Sequence, residues 1–356
     1  MKLLIIGPYP FRNNGMSDFI AQYKGELERR GHEVVTEPMY FWRDKRTAFR
    51  WLSLRARLHE GFDAVIVQHT PTASGPFLPS FLRAARRLRV PVIVVAHEMP
   101  SVYAKHLPRL ARPLYHAYER AIMRLAAARV VQADLYVAEM RGIGVKDDLV
   151  VIPVPAYAAR FPVPPLDGER PFWGYYGMIS PKKGVDLLLE AYQGRAPGLY
   201  PPLRLLGGPA PGNEAYVESL KAGVSPAHRP FVDFRGYVED AALPGELARM
   251  ALVILPYRWA SQSAVLTEAL RHHAPYLASD LPFFADFQRR YGCGSVFKSG
   301  SAEALARALD EAAGHPSAAR SQAFEAVLED LSLARCADKL LDVIARVWAE
   351  AKTARA

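Results

Sequence analysis

Residues 175–192 read YYGMISPKKGVDLLLEAY. An aromatic and apolar start, a break at Gly177 to Pro181 and a run with helical spacing predict a strand, a tight loop and a helix. Lys182, Lys183 and Gly184 fall at the strand-to-helix junction. Backbone N–H groups left free there, together with the positive end of the helix, favour an anion, and a lysine beside them strengthens the preference. Spacing alone leaves open the plainer alternative of a turn whose lysines are solvated.

The same alternation extends on both sides of this segment. LRLLGG, VDFRGYV, ALVILPY and APYLASD read as strands, and EAYVESLKAG, SAVLTEALRHH and SAEALARALDEAAG as helices. Residues 251–284, ALVILPYRWASQSAVLTEALRHHAPYLASDLPFF, repeat the strand–loop–helix grammar. A strand ends at Pro256, a polar loop follows, and a helix carries Glu268. Ser261 or Ser263 is expected to cap that helix. A carboxylate about one turn inside can hold vicinal hydroxyls, as acidic residues hold ribose in dinucleotide folds; an ordinary surface glutamate is the plainer alternative.

Towards the N-terminus, apolar runs at 3–6, 33–35, 64–68, 90–97, 129–133 and 149–153 alternate with helical stretches. This order predicts right-handed βαβ units and a mostly parallel sheet, with strands apolar on both faces because helices cover both sides. Residues 153–171, PVPAYAARFPVPPLDGERP, are rich in proline and lack periodicity, as an interdomain linker would. The expected organisation is α/β, with two Rossmann-like domains facing across a cleft. Residues 1–165 form the first domain and 166–335 the second. A final helical stretch, 336–356, follows the second domain. A length of 356 residues suits two domains, and the cleft between them is the expected ligand site.

Composition narrows the class of function. Half the residues are hydrophobic and 23% are charged, a globular balance that excludes a disordered or fibrous chain. Cys293 and Cys336 are too few to staple the fold and lack zinc-ligand spacing. Residues 1–165 hold 24 Lys and Arg against 14 Asp and Glu, a net of +10, within a whole-chain charge of +9. The basic half therefore calls for an anionic partner. Residues 41–58 and 103–129 mix Trp, Tyr and Leu with Arg and Lys, a pattern suited to an anionic membrane surface or, equally, to helices that bury their apolar sides. No nucleic-acid-binding module is recognisable, so nucleic acid is not expected as a partner. No apolar run reaches the length needed to span a bilayer. MKLLIIGPYPF reads as a buried first strand and not a secretory signal. A cytoplasmic protein is expected, peripheral on the inner membrane face if the basic half meets lipid.

Taken together, GMISPKKGVDLLLEA and PYRWASQSAVLTEALRHHAPYLASD resemble the retaining glycosyltransferases of the GT-B fold, family 4 (glycosyl transferases group 1). The resemblance covers most of the second domain and, more loosely, the first, and it implies that the final helix, 336–356, crosses back to the first domain. It implies transfer of a sugar from a nucleotide-diphosphate sugar to a glycan or lipid-linked acceptor, in cell-envelope polysaccharide or glycolipid assembly. It implies that Lys183 contacts the donor diphosphate, that Glu268 holds the nucleotide ribose, and that the backbone N–H groups of Val265 and Leu266 meet the diphosphate. It further implies that Gly15 lets backbone approach the donor and that His97 lies near the donor sugar in a catalytic role with Lys183. Two departures stand out: the family arginine after the first glycine is Met178, and the first glutamate of the family pair falls at Ala260. Ser261, Gln262 and Ser263 fill that loop and offer hydrogen bonds to sugar hydroxyls. No Asp-x-Asp metal motif is evident, so neither a metal nor a cofactor is expected. A non-catalytic nucleotide-sugar or glycan-binding scaffold and a GT-B-fold sugar-nucleotide epimerase remain as alternatives. A dinucleotide-dependent dehydrogenase is disfavoured, because the first strand leads to GPYPFRNNG and not to GxGxxG.

Overall fold

The computed structural model describes residues 1–10, 15–39, 47–156, 164, 168–314 and 321–353. The chain divides into two compact units, Met1–Tyr157 with Leu331–Ala356, and Ala158–Asp330. Each unit is built on a six-stranded sheet in which every pairing is parallel.

The first unit runs β1 (Lys2–Gly7), α1 (Gly15–Arg29), β2 (Glu33–Pro38), α2 (Thr47–Arg57), β3 (Ala64–His69), α3 (Pro71–Ser74), α4 (Leu78–Arg87), β4 (Val92–Ala96), α5 (Pro100–Ala104), α6 (Arg112–Leu125), β5 (Ala128–Val131), α7 (Asp134–Gly142) and β6 (Val150–Val151). Its strand order is β2-β1-β3-β4-β5-β6. Every residue of β3 and β4 is buried, which is why these strands read as unbroken apolar runs.

The second unit runs β7 (Phe172–Tyr176), α8 (Val185–Gln193), β8 (Leu203–Leu206), α9 (Glu214–Ala222), β9 (Val232–Gly236), α10 (Leu243–Ala248), β10 (Met250–Leu255), α11 (Ala264–Arg271), β11 (Tyr276–Ser279), α12 (Pro282–Tyr291), β12 (Ser295–Phe297), α13 (Ala302–Gly314) and α14 (Ser321–Asp330). Its order is β12-β11-β10-β7-β8-β9, so the direction of winding reverses between β7 and β10. Beyond the carboxyl ends of two such strands lies the crevice in which open α/β sheets bind ligands.

The last helix, α15 (Leu333–Thr353), belongs to the first unit. Its Cys336, Leu340, Ile344 and Val347 join Phe19, Ile20, Tyr23 and Leu27 of α1 in one apolar core with Leu3 and Ile5 of β1. Arg30 pairs with Asp338, and the Trp348 indole N–H donates to Asp63 at 2.8 Å. The units part between residues 157 and 158 and between 330 and 331, several residues before the boundaries expected from the proline-rich stretch and the final helix. The reason is local: Ala156 donates its N–H to the Leu331 carbonyl at 2.7 Å and bridges Ser332, which ties these two crossings of the chain together.

The two basic aromatic stretches have different fates. Residues 41–46 lie outside the described residues, and the helix that follows turns Trp51, Leu54 and Leu58 into the core. Around the start of α6 the outcome is mixed. Tyr115, Ile122 and Met123 are buried, whereas Leu110 and Leu114 are 92% and 75% exposed. Among the described residues no helix is long and apolar enough to cross a membrane.

Candidate active site

The two motif segments leave the carboxyl ends of β7 and β10, which are neighbours in the second sheet. After β7 the Tyr175 hydroxyl donates to the Met178 carbonyl at 2.9 Å, folding the loop back and leaving the Met178 side chain exposed. Pro181–Lys183 form a single 3-10 turn, closed by the Lys183 N–H to the Ser180 carbonyl at 2.9 Å. Gly184 then adopts φ +67°, and a Cβ there would lie 1.9 Å from the Pro256 carbonyl oxygen. Only glycine permits both the left-handed backbone and the backbone-to-backbone packing of the β7 loop on the β10 loop.

That packing fixes Lys183. Its side chain is half-buried, with the ammonium 3.6 Å from the centroid of the Tyr257 ring. Desolvation lowers its pKa to about 8. Among the described residues no carboxylate lies within ion-pair distance of it. Nearby in sequence, Ser180 is only 5% exposed, and its hydroxyl has no hydrogen-bond partner among the described residues. A cation without a counter-charge and a buried hydroxyl without a partner are what an anionic, oxygen-rich ligand would satisfy.

The other two cations of the motif are engaged differently. Arg258 forms a two-pronged ion pair with Asp186 at 2.7 and 2.6 Å, and Lys182 lies 4.8 Å from the Trp259 ring centroid. Ser261 and Ser263 are buried and Gln262 is half-buried. Ser263 occupies the cap position of α11; its hydroxyl makes no cap hydrogen bond, and its carbonyl accepts the Leu266 N–H at 3.2 Å. Of the two backbone donors expected to face the ligand, Leu266 therefore has an internal acceptor. Glu268 is half-buried on α11; burial raises its pKa, and Arg271, 3.5 Å away, opposes that rise.

In the first unit Gly15 opens α1, while Arg12 and the rest of residues 11–14 lie outside the described residues. His97 follows β4 and is 2% exposed. Gln132 donates its side-chain N–H to His97 Nδ1 at 2.8 Å, and His97 Nε2–H donates to Gln68 Oε1 at 2.6 Å. The Phe19 ring of α1 meets the imidazole edge-on at 4.9 Å between centroids. Burial, with His69 nearby, lowers the His97 pKa to about 3. The ring is therefore neutral near pH 7, held between two amide side chains.

Beside it, His69 Nε2–H donates to both Glu119 oxygens at 3.1 Å, and its Nδ1 meets the Ser74 hydroxyl at 2.8 Å, all three residues buried. This cluster was invisible in the sequence, where His69 and Glu119 stand 50 positions apart. Tyr257, Ser180 and the Asp186–Arg258 pair were likewise missed. Only the proximity of Ser180 to Lys183 in the chain pointed towards it. Among the described residues no group of three His, Cys, Asp or Glu side chains is gathered as metal ligands.

Comparison with known proteins agrees with this architecture. Residues 158–324 match the model of the glycosyl transferases group 1 family, and residues 35–155 match a glycosyl transferase 4-like domain. A GDP-mannose:glycolipid 4-beta-D-mannosyltransferase of Xanthomonas campestris pv. campestris is 33% identical over 125 residues, which is 35% of this chain and 34% of that protein. The match thus spans about a third of the curated relative's length. Among solved structures, Anabaena HepE in complex with UDP and glucose superposes with a TM-score of 0.77 at 16% identity, covering 97% of this chain and 100% of that one. Sucrose-phosphate synthase from Thermosynechococcus elongatus gives 0.78 at 17%, covering 98% and 100%. With two six-stranded parallel sheets, the motif loops at the winding reversal of the second, and family models spanning most of its length, the chain belongs to the glycosyl transferases group 1 family and has the GT-B fold.

Proposed function

We propose that the protein transfers a glycosyl group from a nucleotide-diphosphate sugar to a hydroxyl of a glycan or lipid-linked acceptor, the second unit binding the donor and the first the acceptor. The observation that carries this reading is Lys183: a cation with no carboxylate partner among the described residues, set between two loops at the winding reversal. In the reaction the bond from the anomeric carbon to the diphosphate oxygen breaks, and a bond to the acceptor oxygen forms. The acceptor proton passes to the departing phosphate. Lys183 and the amide dipoles at the starts of α8 and α11 stabilise the charge that grows on the leaving group. This supplies leaving-group stabilisation without a divalent metal or a cofactor. Glu268, Ser261, Gln262, Ser263 and the Val265 N–H line the donor side in this reading, and Gly15 and His97 are the residues of the first unit to which the motif resemblance gives a part in the reaction.

Retention of anomeric configuration is proposed from the motif resemblance. Inversion is the second reading, favoured by the beta product in the name of the mannosyltransferase relative. Proton NMR of the product anomer separates them. The acceptor is proposed to be lipid-linked and met at an anionic membrane surface on its cytoplasmic side, in envelope polysaccharide or glycolipid assembly. Support comes from Leu110 and Leu114, exposed beside Lys105 and Arg109, in a stretch whose one acid, Glu119, is buried against His69. Each basic residue near such a surface contributes about 1 kcal/mol, less at high salt. Nucleotide release from UDP-, GDP-, ADP- and TDP-sugars, with and without a glycolipid acceptor, tests the activity. Donor binding without turnover would instead support a binding scaffold.

A further inference from the structure

The β10 loop has lost the family glutamate at Ala260, and the β7 loop has lost the family arginine at Met178, yet the two loops are strapped to each other by contacts of their own. Arg258 Nη1 and Nη2 grip Asp186 at 2.7 and 2.6 Å. Nη1 also donates to the Pro181 carbonyl at 2.8 Å, and the Arg258 backbone N–H donates to the Lys182 carbonyl at 2.9 Å. The Tyr216 hydroxyl, from α9, donates to Asp186 Oδ1 at 2.8 Å and orients the carboxylate. Lys182 adds a second strap by lying over the next residue, Trp259.

Three of these contacts converge on the 3-10 turn that ends in Lys183. Two end on its carbonyls, and the fork ends on the first turn of the helix it starts. Planar, two-pronged pairing fixes direction as well as distance, which a single lysine contact would not. We propose that Arg258 is a positioning residue of the donor site: by clamping Asp186 and the Pro181–Lys183 turn to the β10 loop, it holds Lys183 in the register needed to grip a diphosphate. The proposal rests on the donor-site reading of Lys183. It goes beyond that reading in giving this chain a fastening between the donor loops, made by Asp186 of the first motif segment and Arg258 of the second.

Charge and position make opposite forecasts, which makes the proposal testable. Were Arg258 only a source of positive potential, Arg258→Ala would weaken binding of an anion, and Asp186→Asn, which uncovers the guanidinium, would strengthen it. A clamp fails from either side. We expect Arg258→Ala and Asp186→Asn each to raise the Kd for whichever of UDP, GDP, ADP and TDP the wild type binds at least tenfold by calorimetry, with the double variant no worse than the weaker-binding single variant. Arg258→Lys keeps the charge and most of the stem, so it tests the fork even if the alanine variant folds poorly; it should behave like the alanine variant. Melting temperature and circular dichroism establish folding for each. Tighter binding by Asp186→Asn, or wild-type affinity in Arg258→Lys, would overturn the clamp. Lys183→Ala is the control that separates the two layers. If it loses binding while all Arg258 and Asp186 variants bind normally, the clamp fails and the donor site stands. If it too binds normally, or the wild type binds none of the four nucleotides, the donor site fails and takes the clamp with it.

Discussion

The carboxyl ends of the two parallel sheets present the same backbone architecture with opposite electrostatics. In the first unit both His97 ring nitrogens are bonded, to Gln68 and Gln132, and His69 bonds Ser74 and Glu119, although the Gln132 Oε1 has no partner among the described residues. In the second unit, Lys183 has no acidic partner and the Ser180 hydroxyl no hydrogen-bond partner among the described residues. A satisfied network rigidifies its surroundings, whereas a desolvated group without a partner costs free energy that a ligand can return. The contrast teaches that net charge is a poor guide to the donor half: the basic residues concentrate in the first unit, but the uncompensated cation sits in the nearly neutral second.

The sharpest way to break this contrast is to separate the loops that create it. Gly184→Ala places a Cβ 1.9 Å from the Pro256 oxygen and forces a left-handed backbone on an L side chain. Strain and overpacking together should cost about 3–5 kcal/mol, read as a lowered denaturation midpoint; an unchanged midpoint would mean that the two loops do not pack this way. Next in size, Lys183→Ala should weaken nucleotide-diphosphate binding by about 2–4 kcal/mol while leaving the fold intact. Equal affinity would return the second unit to the same passive status as the first.

A pH titration sharpens the comparison further. With its pKa lowered to about 8, Lys183 is charged in the free protein below that pH and neutral above it. Binding a diphosphate favours the charged form, so above about pH 8 the ligand must draw in a proton. Affinity should fall by up to about 1.4 kcal/mol per pH unit as pH rises from about 8 towards 10. Net proton uptake should appear in calorimetry near pH 9 and vanish near pH 6. The same lowering acts on folding in the opposite sense. The unfolded lysine keeps its proton up to about 10.5, so between about 8 and 10.5 this group adds stability as pH rises.

The smallest expected effect belongs to the first unit. The pH profile of kcat should carry no limb from His97, because the ring stays neutral down to about 3. A limb near neutral pH that disappears in His97→Gln would show that the first unit has chemistry the closed network hides.

Much of the frame was legible because it depends on local pattern. The runs at 3–6, 64–68 and 90–97 are apolar on both faces since helices cover both sides, and their shortness and richness in Val and Ile mark such strands. Lys183 and Gly184 stood out because a strand–turn–helix junction compresses its chemistry into a few adjacent residues. Short or weakly patterned elements escaped notice: α7, α10, α12, β12 and α14 carry too few apolar repeats to announce themselves. So did every feature made by distant residues. Asp186 and Arg258 are 72 positions apart, and nothing in the identity of either foretells the other. His97 shows the reverse failure. Its place at a strand end was correctly read, but its ionisation is set by burial, by His69 and by Gln132, which the order of residues does not reveal.

The packing of α15 against α1 bears on how the molecule comes into being. The first unit is assembled from two stretches, Met1–Tyr157 and Leu331–Ala356, with the whole second unit interposed. As the chain emerges from the ribosome, Phe19, Ile20 and Leu27 wait with part of their apolar surface uncovered until Leu340, Ile344 and Val347 arrive. The second unit, whose elements are contiguous from β7 to α14, is free to mature earlier. The half made first is thus the half completed last, and a chain cut short before its final helix would carry an open hydrophobic seam for quality control to find.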